Sequence, residues 1–558
     1  MNPLNVVKRI ATVPRDLVDI AKAIPVLWSS GVLGAQDGPQ ALGKLVLDFC
    51  RWGFTSARQL ETSAFSSGNR IALIDDDGEL TYSQLRDDVR AIARTLYCKG
   101  IDKNSRIALM ARNSRGFLYT LVPKGLIGYN TYLFNVGSSP KQLLDSLKEH
   151  KIDMLFIDEE FESRLPEDFD DIEVVLTWTQ DGKRLPHRDW AHISELIDDA
   201  PNEKAVKFPL RPRQGRIVLM SSGTSGTPKG VVLHEPRFPV ALVSSILSSG
   251  PWKPRMRMQM TASMFHVWGW ACINLCLATR ATIITQRVFE PEVVMRTIEK
   301  HKVQGVLTSA VFMKAMVELP DVQKYDVSSV QFLTNAGNAL TVNLVEKIHD
   351  LFGPILSNIY GSTEVTAVSV AKPEDLVANP LCAGHTPHGT ITKILDEAGN
   401  EVKDGEIGII HARNAMTLVG YANKRDKITY RHGLVDLGDL GYRDEGGRLQ
   451  VLGRNNDMII VGGENVYPMS VIDCLTSMPG ISDVYCKGVE DDKTFQRIAA
   501  YVVREESPAG LALTENSVQE WVRQNLAEHS VPRDVHWLAE LPRNATGKVV
   551  ARELPSAT

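Results

Sequence analysis

The chain has 558 residues, 43% of them apolar and 23% charged, and a formal net charge of −5. That length implies two to four domains, and the composition is that of a soluble globular protein. The negative balance argues against a surface built to hold nucleic acid. The seven cysteines include no Cys-x-x-Cys pair, so a structural zinc is not expected and a reducing cytosol is.

No apolar run is long enough to span a bilayer. Lys8, Arg9, Arg15, Asp16, Asp19 and Lys22 interrupt any signal-peptide core. The first sixty or so residues carry more Lys and Arg than Asp and Glu, against the trend of the chain. Leu17, Ile20, Ala21 and Ile24 repeat at helical spacing between Pro14 and Pro25, and IPVLWSSGVLG follows. Two readings stand: an arm packed on its own body, or a helix lying on a membrane surface.

From Thr81 helix and strand alternate. TYSQLRDDVRAIARTLYCKG opens on a capping threonine, closes near Gly100, and precedes the buried strand RIALMA. KQLLDSLKEHK before IDMLFID, and PEVVMRTIEKHK before VQGVLTSA, repeat the order. Such alternation predicts an α/β body with parallel or mixed sheets under helices. Cys272 and Cys276, four apart in an apolar stretch, are expected on one buried helical face. Beyond RLQVLGRNNDMIIVGG the texture shifts to a small α+β unit. The boundary falls near Arg454 to Asp457, where the polar GRNND reads as a hinge or a plain β-turn.

The stretch VLMSSGTSGTPKGVV, Val218 to Val232, is a Gly/Ser/Thr-rich loop with one lysine behind a short apolar run. Successive N–H groups in such a loop converge on an anion. It is not a Walker A loop, because Lys229 follows proline and precedes glycine, and a second apolar run follows instead of a helix.

The string SSGTSGTPKGVVLHE resembles the phosphate loop of the adenylate-forming superfamily of acyl-CoA synthetases, luciferases and adenylation domains. Six further segments follow in the family's order: MFHVWGW, NAGNAL, NIYGSTE, GDLGY, GRNNDMIIVGGENVYP and PRNATGKVVARE. Together they cover about residues 70 to 552. The overall texture is most like a bacterial fatty-acid–CoA ligase. The resemblance implies a large multi-sheet α/β N-terminal domain over 66–455, a small α+β C-terminal lid over 456–558, and an N-terminal extension over 1–65 outside the family's pattern.

It also implies roles. Lys548 bridges the carboxylate and the α-phosphate of ATP, a task that suits a compact ammonium. Ser221, Ser222, Gly223, Thr224, Ser225, Gly226, Thr227 and Lys229 enclose the β- and γ-phosphates. Glu364 holds Mg2+, Thr363 bonds the α-phosphate, and Gly361 and Ser362 beside them bind the nucleotide. Gly337, Asn338 and Ala339 line the adenine and acyl pocket. Tyr360 lies against adenine and Asn358 meets its edge. Asp439 accepts from the ribose hydroxyls and Arg454 donates to ribose or phosphate. His266 stands beside the carboxylate. Asn456 is the hinge, where the family has aspartate or lysine. Leu437 replaces the family's threonine or serine. Rotation at Asn456 swings Lys548 out and brings in Gly462, Gly463 and Glu464, past which pantetheine reaches the site.

The resembled chemistry is attack of a carboxylate on the α-phosphate of ATP, loss of pyrophosphate, then transfer of the acyl group to coenzyme A. No acidic residue lies in MFHVWGWACINLCLATR to hold a substrate ammonium, so an amino acid substrate is not expected. Val267, Trp268, Trp270, Ile273 and Leu275 either line an acyl tunnel or belong to the core. A medium- or long-chain fatty acid is the first reading and an aryl acid the second. A ligase loading a carrier protein, and a non-catalytic acyl or nucleotide sensor, are the other readings. The expected place is the cytoplasm, with peripheral membrane contact through the N-terminal segment.

Overall fold

In the computed structural model, residues 21–556 are described, apart from 186, 222–228, 234–238, 424–426, 462–463, 492 and 545–546. The described residues open on a helix over residues 21–29, α1, followed by the hairpin of α2 (Pro39–Trp52) and α3 (Ser56–Ser67). The start of the helix expected from Leu17 lies outside the described residues. Its end does not fall before Pro25, because α1 runs through that proline to Ser29. A mid-helix proline forfeits one hydrogen bond. Here Ala23 and Leu27, one turn apart, bury against the body and hold the turn in place. Helix α4 (Tyr82–Cys98) begins as expected, with Thr81 and Gln84 forming a reciprocal capping box.

Two eight-stranded sheets build the body. One runs from Ser369–Ala371 through Leu356–Tyr360, Phe332–Ala336, Gly305–Thr308, Arg257–Met260, Thr282–Ile284 and Ile71–Asp75 to Gly78–Thr81. Its inner pairs are parallel and its two edge strands antiparallel. The other is centred on Arg106–Met110, Asn130–Leu133 and Met154–Asp158, all mutually parallel or sharing a parallel neighbour. Their strands read as continuous apolar runs because helices cover both faces. A third, antiparallel sheet joins Cys382–Gly384, Leu449–Arg454, Leu434–Arg443, Gly408–Arg413 and Ile391–Leu395. A fourth, five-stranded sheet belongs to the C-terminal unit, with its own apolar core around Val471, Val484, Val502 and Val518. The fold class is therefore the expected one: a large multi-sheet α/β domain and a small α+β one.

The strands that carry site residues are, in chain order, β1 (Ile217–Ser221), β2 (Lys229–Leu233), β3 (Gly305–Thr308), β4 (Phe332–Ala336) and β5 (Leu356–Tyr360). They continue with β6 (Gly420–Tyr421), β7 (Leu434–Arg443), β8 (Leu449–Arg454), β9 (Ile459–Val461) and β10 (Glu464–Val466). Four helices matter beside them: α5 (Val267–Ala278), α6 (Ala310–Val317), α7 (Val342–Phe352) and α8 (Pro468–Thr476). Cys272 and Cys276 are both fully buried on α5, as their spacing predicts. Residues Asn455–Asp457 form a short, exposed turn between β8 of the third sheet and β9 of the lid sheet.

Among the described residues, the lid meets the body at α6 and α7. Lys314 of α6 donates to the carbonyl of Ser482 at 2.5 Å, and Asn343 of α7 donates to that of Thr476 at 3.3 Å. Gly547 lies so close to α6 that a β-carbon there would be 2.5 Å from Val311 Cγ2.

Candidate active site

Open α/β sheets bind ligands beyond the carboxyl ends of their strands. Here the chain leaves β4 at Gly337, whose φ of +95° suits glycine, and the following Asn338 and Ala339 are not buried. It leaves β5 at Gly361, where a β-carbon would lie 1.9 Å from the Thr366 carbonyl oxygen. The turn from Gly361 through Ser362, Thr363 and Glu364 closes with Thr366 N–H donating to Ser362 at 2.7 Å. Thr366 itself takes φ +72°, a strained value for a β-branched residue. Asn414 holds this turn by donating to the carbonyls of Val365 and Ala367 at 2.8 and 2.9 Å.

Sheet register makes two of the site's pairs. The parallel ladder sets Asn335 of β4 beside Asn358 of β5, and Asn335 donates to the Asn358 amide oxygen at 2.7 Å. The antiparallel ladder sets Asp439 of β7 beside Arg454 of β8, and their side chains pair at 3.0 Å. The Tyr360 hydroxyl, from the first sheet, donates to the other Asp439 oxygen at 2.5 Å. Arg454 also donates to the Leu437 carbonyl at 2.9 Å.

Charge concentrates at this junction. Burial raises the Asp439 carboxyl above its ordinary range; Arg454, the Tyr360 hydroxyl and Lys548 act against that rise, and Glu364 adds to it. Burial, then Asp439, drives the Tyr360 phenol far up, so it stays a neutral donor. Lys548 of the lid and Glu364 of the body thus both lie near enough to act on Asp439 through charge. The Glu364 carboxylate accepts from Tyr421 of β6 at 3.2 Å. The Lys229 ammonium lies 5.7 Å from the Tyr421 ring centroid. Tyr421, Asn335 and Asn414 were not singled out in the sequence; each lies 23 to 57 residues from a partner it bonds, and no spacing rule joins them.

Strands β1 and β2 form an antiparallel hairpin with Ser221 opposite Lys229. Ser222, Gly223, Thr224, Ser225, Gly226 and Thr227 lie outside the described residues, as do Gly462 and Gly463. Glu464 is exposed on β10 of the lid, and no described hydrogen bond or ion pair joins it to the body. Asn456 is exposed in the turn between the third sheet and the lid.

His266 sits at the N-terminus of α5. Among the described residues its Nε2 is buried without a hydrogen-bond partner, and burial pushes the imidazole down to about 4. The ring is therefore neutral at pH 7. An orphaned polar atom costs about 1–3 kcal/mol, which a bound polar ligand would offset. Trp268 is pinned by its indole N–H to the Thr308 carbonyl at 3.1 Å. Of the five residues weighed for an acyl tunnel, Trp270, Ile273 and Leu275 are core, while Val267 and Trp268 are only partly buried. Beside Phe265 lies a cavity of about 100 Å³, bordered by Met260, Thr261, Ser263 and Phe312.

Residues 60–422 match the family model described as AMP-binding enzyme, and residues 473–548 match that of the AMP-binding enzyme C-terminal domain. The chain is 28% identical over 483 residues to the indoleacetate–CoA ligase of Aromatoleum aromaticum, covering 84% of this chain and 92% of that one. It is 25% identical over 509 residues to the 2-succinylbenzoate–CoA ligase of Bacillus anthracis, covering 90% and 98%. The fold is similar to that of o-succinylbenzoate coenzyme A synthetase from Bacillus subtilis, solved in complex with ATP and magnesium ion. The TM-score is 0.72, with 23% identity and coverage of 89% and 98%. The protein belongs to the AMP-binding enzyme family, and the expectation of an adenylate-forming enzyme is borne out.

Proposed function

We propose that the protein is an acid–CoA ligase that activates a carboxylic acid with ATP, through an acyl-AMP, and passes the acyl group to coenzyme A. The observation that carries this reading is the pairing of Asp439 with Tyr360 and Arg454, within the electrostatic reach of Glu364 and of the lid's Lys548. Asp439 and Arg454 hold ribose. Tyr360 and Asn358 meet adenine, with Gly337, Asn338 and Ala339 at its rim. The hairpin loop ending at Lys229 encloses the leaving phosphates. Glu364, one partly exposed carboxylate, fits Mg2+, which takes a protein carboxylate or two alongside phosphate oxygens. Thr363 and Lys548 flank the α-phosphate. The neutral His266 donates or accepts beside the carboxylate without adding charge, which leaves Lys548 to neutralise the reacting anions. Lid rotation at Asn456 then exchanges Lys548 for the Gly462–Glu464 segment in the thioester step.

For the acid, an apolar acyl group is the reading, and a fatty acid its first form. An aryl acid is a second reading, favoured by relatives named for indoleacetate and 2-succinylbenzoate. Acid-dependent ATP–pyrophosphate exchange, from acetate to palmitate with benzoate and indoleacetate, followed by addition of CoA, tests both. Exchange highest with a long-chain acid and then acyl-CoA with AMP is the expected result. Preference for indoleacetate or benzoate assigns the aryl class. Exchange without thioester moves the acceptor to a carrier protein, and no exchange with any acid sinks the enzyme reading.

The lid contact gives a second test. Gly547 has φ +76° and its missing side chain abuts Val311. Gly547→Ala adds left-handed strain of about 1–2 kcal/mol and a collision, so exchange is expected to fall roughly tenfold or more. Adding Val311→Ala relieves the collision and recovers part of that loss. A G547A rate equal to wild type would refute the lid placement.

A further inference from the structure

Helices α1 and α2 each have one buried face and one bare face. On α2, Ala41, Leu45, Asp48 and Trp52 point inward. Leu42, Gly43, Val46, Leu47 and Cys50 form the outer stripe, exposed and without a charged residue. Their spacing places them on one side of a helix. Val46 is 55% and Leu47 70% exposed. On α1, Ile24 and Trp28 stand one turn apart at 51% and 54% exposure. Six of the sixteen exposed large apolar side chains among the described residues fall between Ile24 and Phe65. Most of this segment precedes the family match, which begins at residue 60.

The acids here are turned inward. Asp37 pairs with Arg255 and Arg280, Asp48 with Lys44, and Glu61 with Arg90. Lys22 is exposed, and Lys8, Arg9 and Arg15 outnumber Asp16 and Asp19 in the sequence before it. An uncharged apolar stripe beside the exposed Lys22, in a segment whose sequence carries a basic surplus, matches the interface of an anionic bilayer in both properties.

We propose that the outer face of α1 and α2 docks on a bilayer surface containing anionic lipid, with Val46, Leu47 and Trp28 entering the headgroup boundary. The proposal does not depend on which acid the enzyme activates. No helix among the described residues is long and apolar enough to cross a membrane, and the contact proposed is peripheral. A second copy is the weaker occupant. The 14 residues of α2 make a helix about 21 Å long and about 10 Å wide. Its stripe, on the order of 200 Å², falls well short of the roughly 800 Å² per partner of a stable interface. Two copies would also bring like charges together. Residues 1–20 are a poor cover for an uncharged stripe, since Lys8, Arg9, Arg15, Asp16 and Asp19 punctuate them.

The test is sedimentation of the full chain with vesicles of phosphatidylcholine, with and without phosphatidylglycerol. Wild type is expected to bind the anionic vesicles, less so at high salt. V46E/L47E is expected to weaken binding roughly tenfold or more and to leave ATP–pyrophosphate exchange unchanged. Should V46E/L47E fail to fold, lipids brominated along the acyl chain decide: they should quench wild-type tryptophan fluorescence, and W28F should remove most of that quenching. Absence of vesicle binding, or equal binding by wild type and V46E/L47E, overturns the proposal. So does a dimer in solution that V46E/L47E dissociates, which assigns the face to a second copy. Vesicle binding that appears only after residues 1–20 are deleted also overturns it, and assigns the face in the full chain to that segment.

Discussion

Lys548→Ala is expected to lower acid-dependent ATP–pyrophosphate exchange by roughly 10²- to 10³-fold while ATP binding changes only a few-fold. The lid positions this lysine with care. Asn544 closes the turn around it, donating from its backbone to the Lys548 carbonyl and accepting from the Lys548 N–H, both at 2.9 Å. Gly547 sits against Val311, and the ammonium acts on buried Asp439 across the domain boundary. An ammonium about 4 Å from a phosphate oxygen is worth about 4 kcal/mol at an effective dielectric near 20, which corresponds to roughly a thousandfold in rate. Binding of ATP is proposed to rest on Asp439, Arg454 and the phosphate loop, so calorimetry should show it retained. Thioester formation from supplied acyl-AMP and CoA should also survive, because that step is proposed to use the other face of the lid. Exchange at the wild-type rate in K548A would remove this residue from the chemistry.

Asp439→Asn is expected to raise the KM for ATP roughly 100-fold and leave the KM for the acid nearly unchanged. Each Asp439 oxygen has one protein partner, Tyr360 on one and Arg454 on the other. A carboxylate has further lone pairs for the two ribose hydroxyls. The amide keeps the shape but replaces one acceptor by a donor, which faces either the Tyr360 hydroxyl or Arg454. Two hydrogen bonds to a charged group, at about 1.5–3 kcal/mol each, set the scale. The structural share of the effect is separable: Tyr360→Phe removes one support of Asp439 without touching its charge, and should cost less. An ATP KM in D439N equal to wild type would exclude the ribose assignment.

Much of the fold was legible because its signals are local. Thr81 and Gln84 cap a helix from three residues apart, and Ser139 with Gln142 does the same for the helix Pro140–Glu149. The strands over Arg106–Met110 and Met154–Asp158 announce themselves as unbroken apolar runs, since parallel strands are covered on both faces. The apolar run after Lys229 did not read as a helix, and in the fold it is a strand, closing a hairpin with β1. Pro25 misled because a local rule, that proline ends a helix, yielded to the burial of Ala23 and Leu27.

The amino-acid sequence by itself determined the family, the order of its motifs, and the charged groups the reaction needs, because those reside in short strings whose chemistry is written in residue type. Only the tertiary structure decided which groups meet. Sheet register set Asp439 against Arg454 and Asn335 against Asn358, and the junction of two sheets brought Tyr360 to Asp439 across 79 residues. Tyr421 reached Glu364, and Gly547 reached Val311, through packing that no spacing encodes. The same holds for the acyl question: α5 is apolar all round, so its periodicity is silent, and only burial separated the core residues Trp270, Ile273 and Leu275 from Val267 and Trp268.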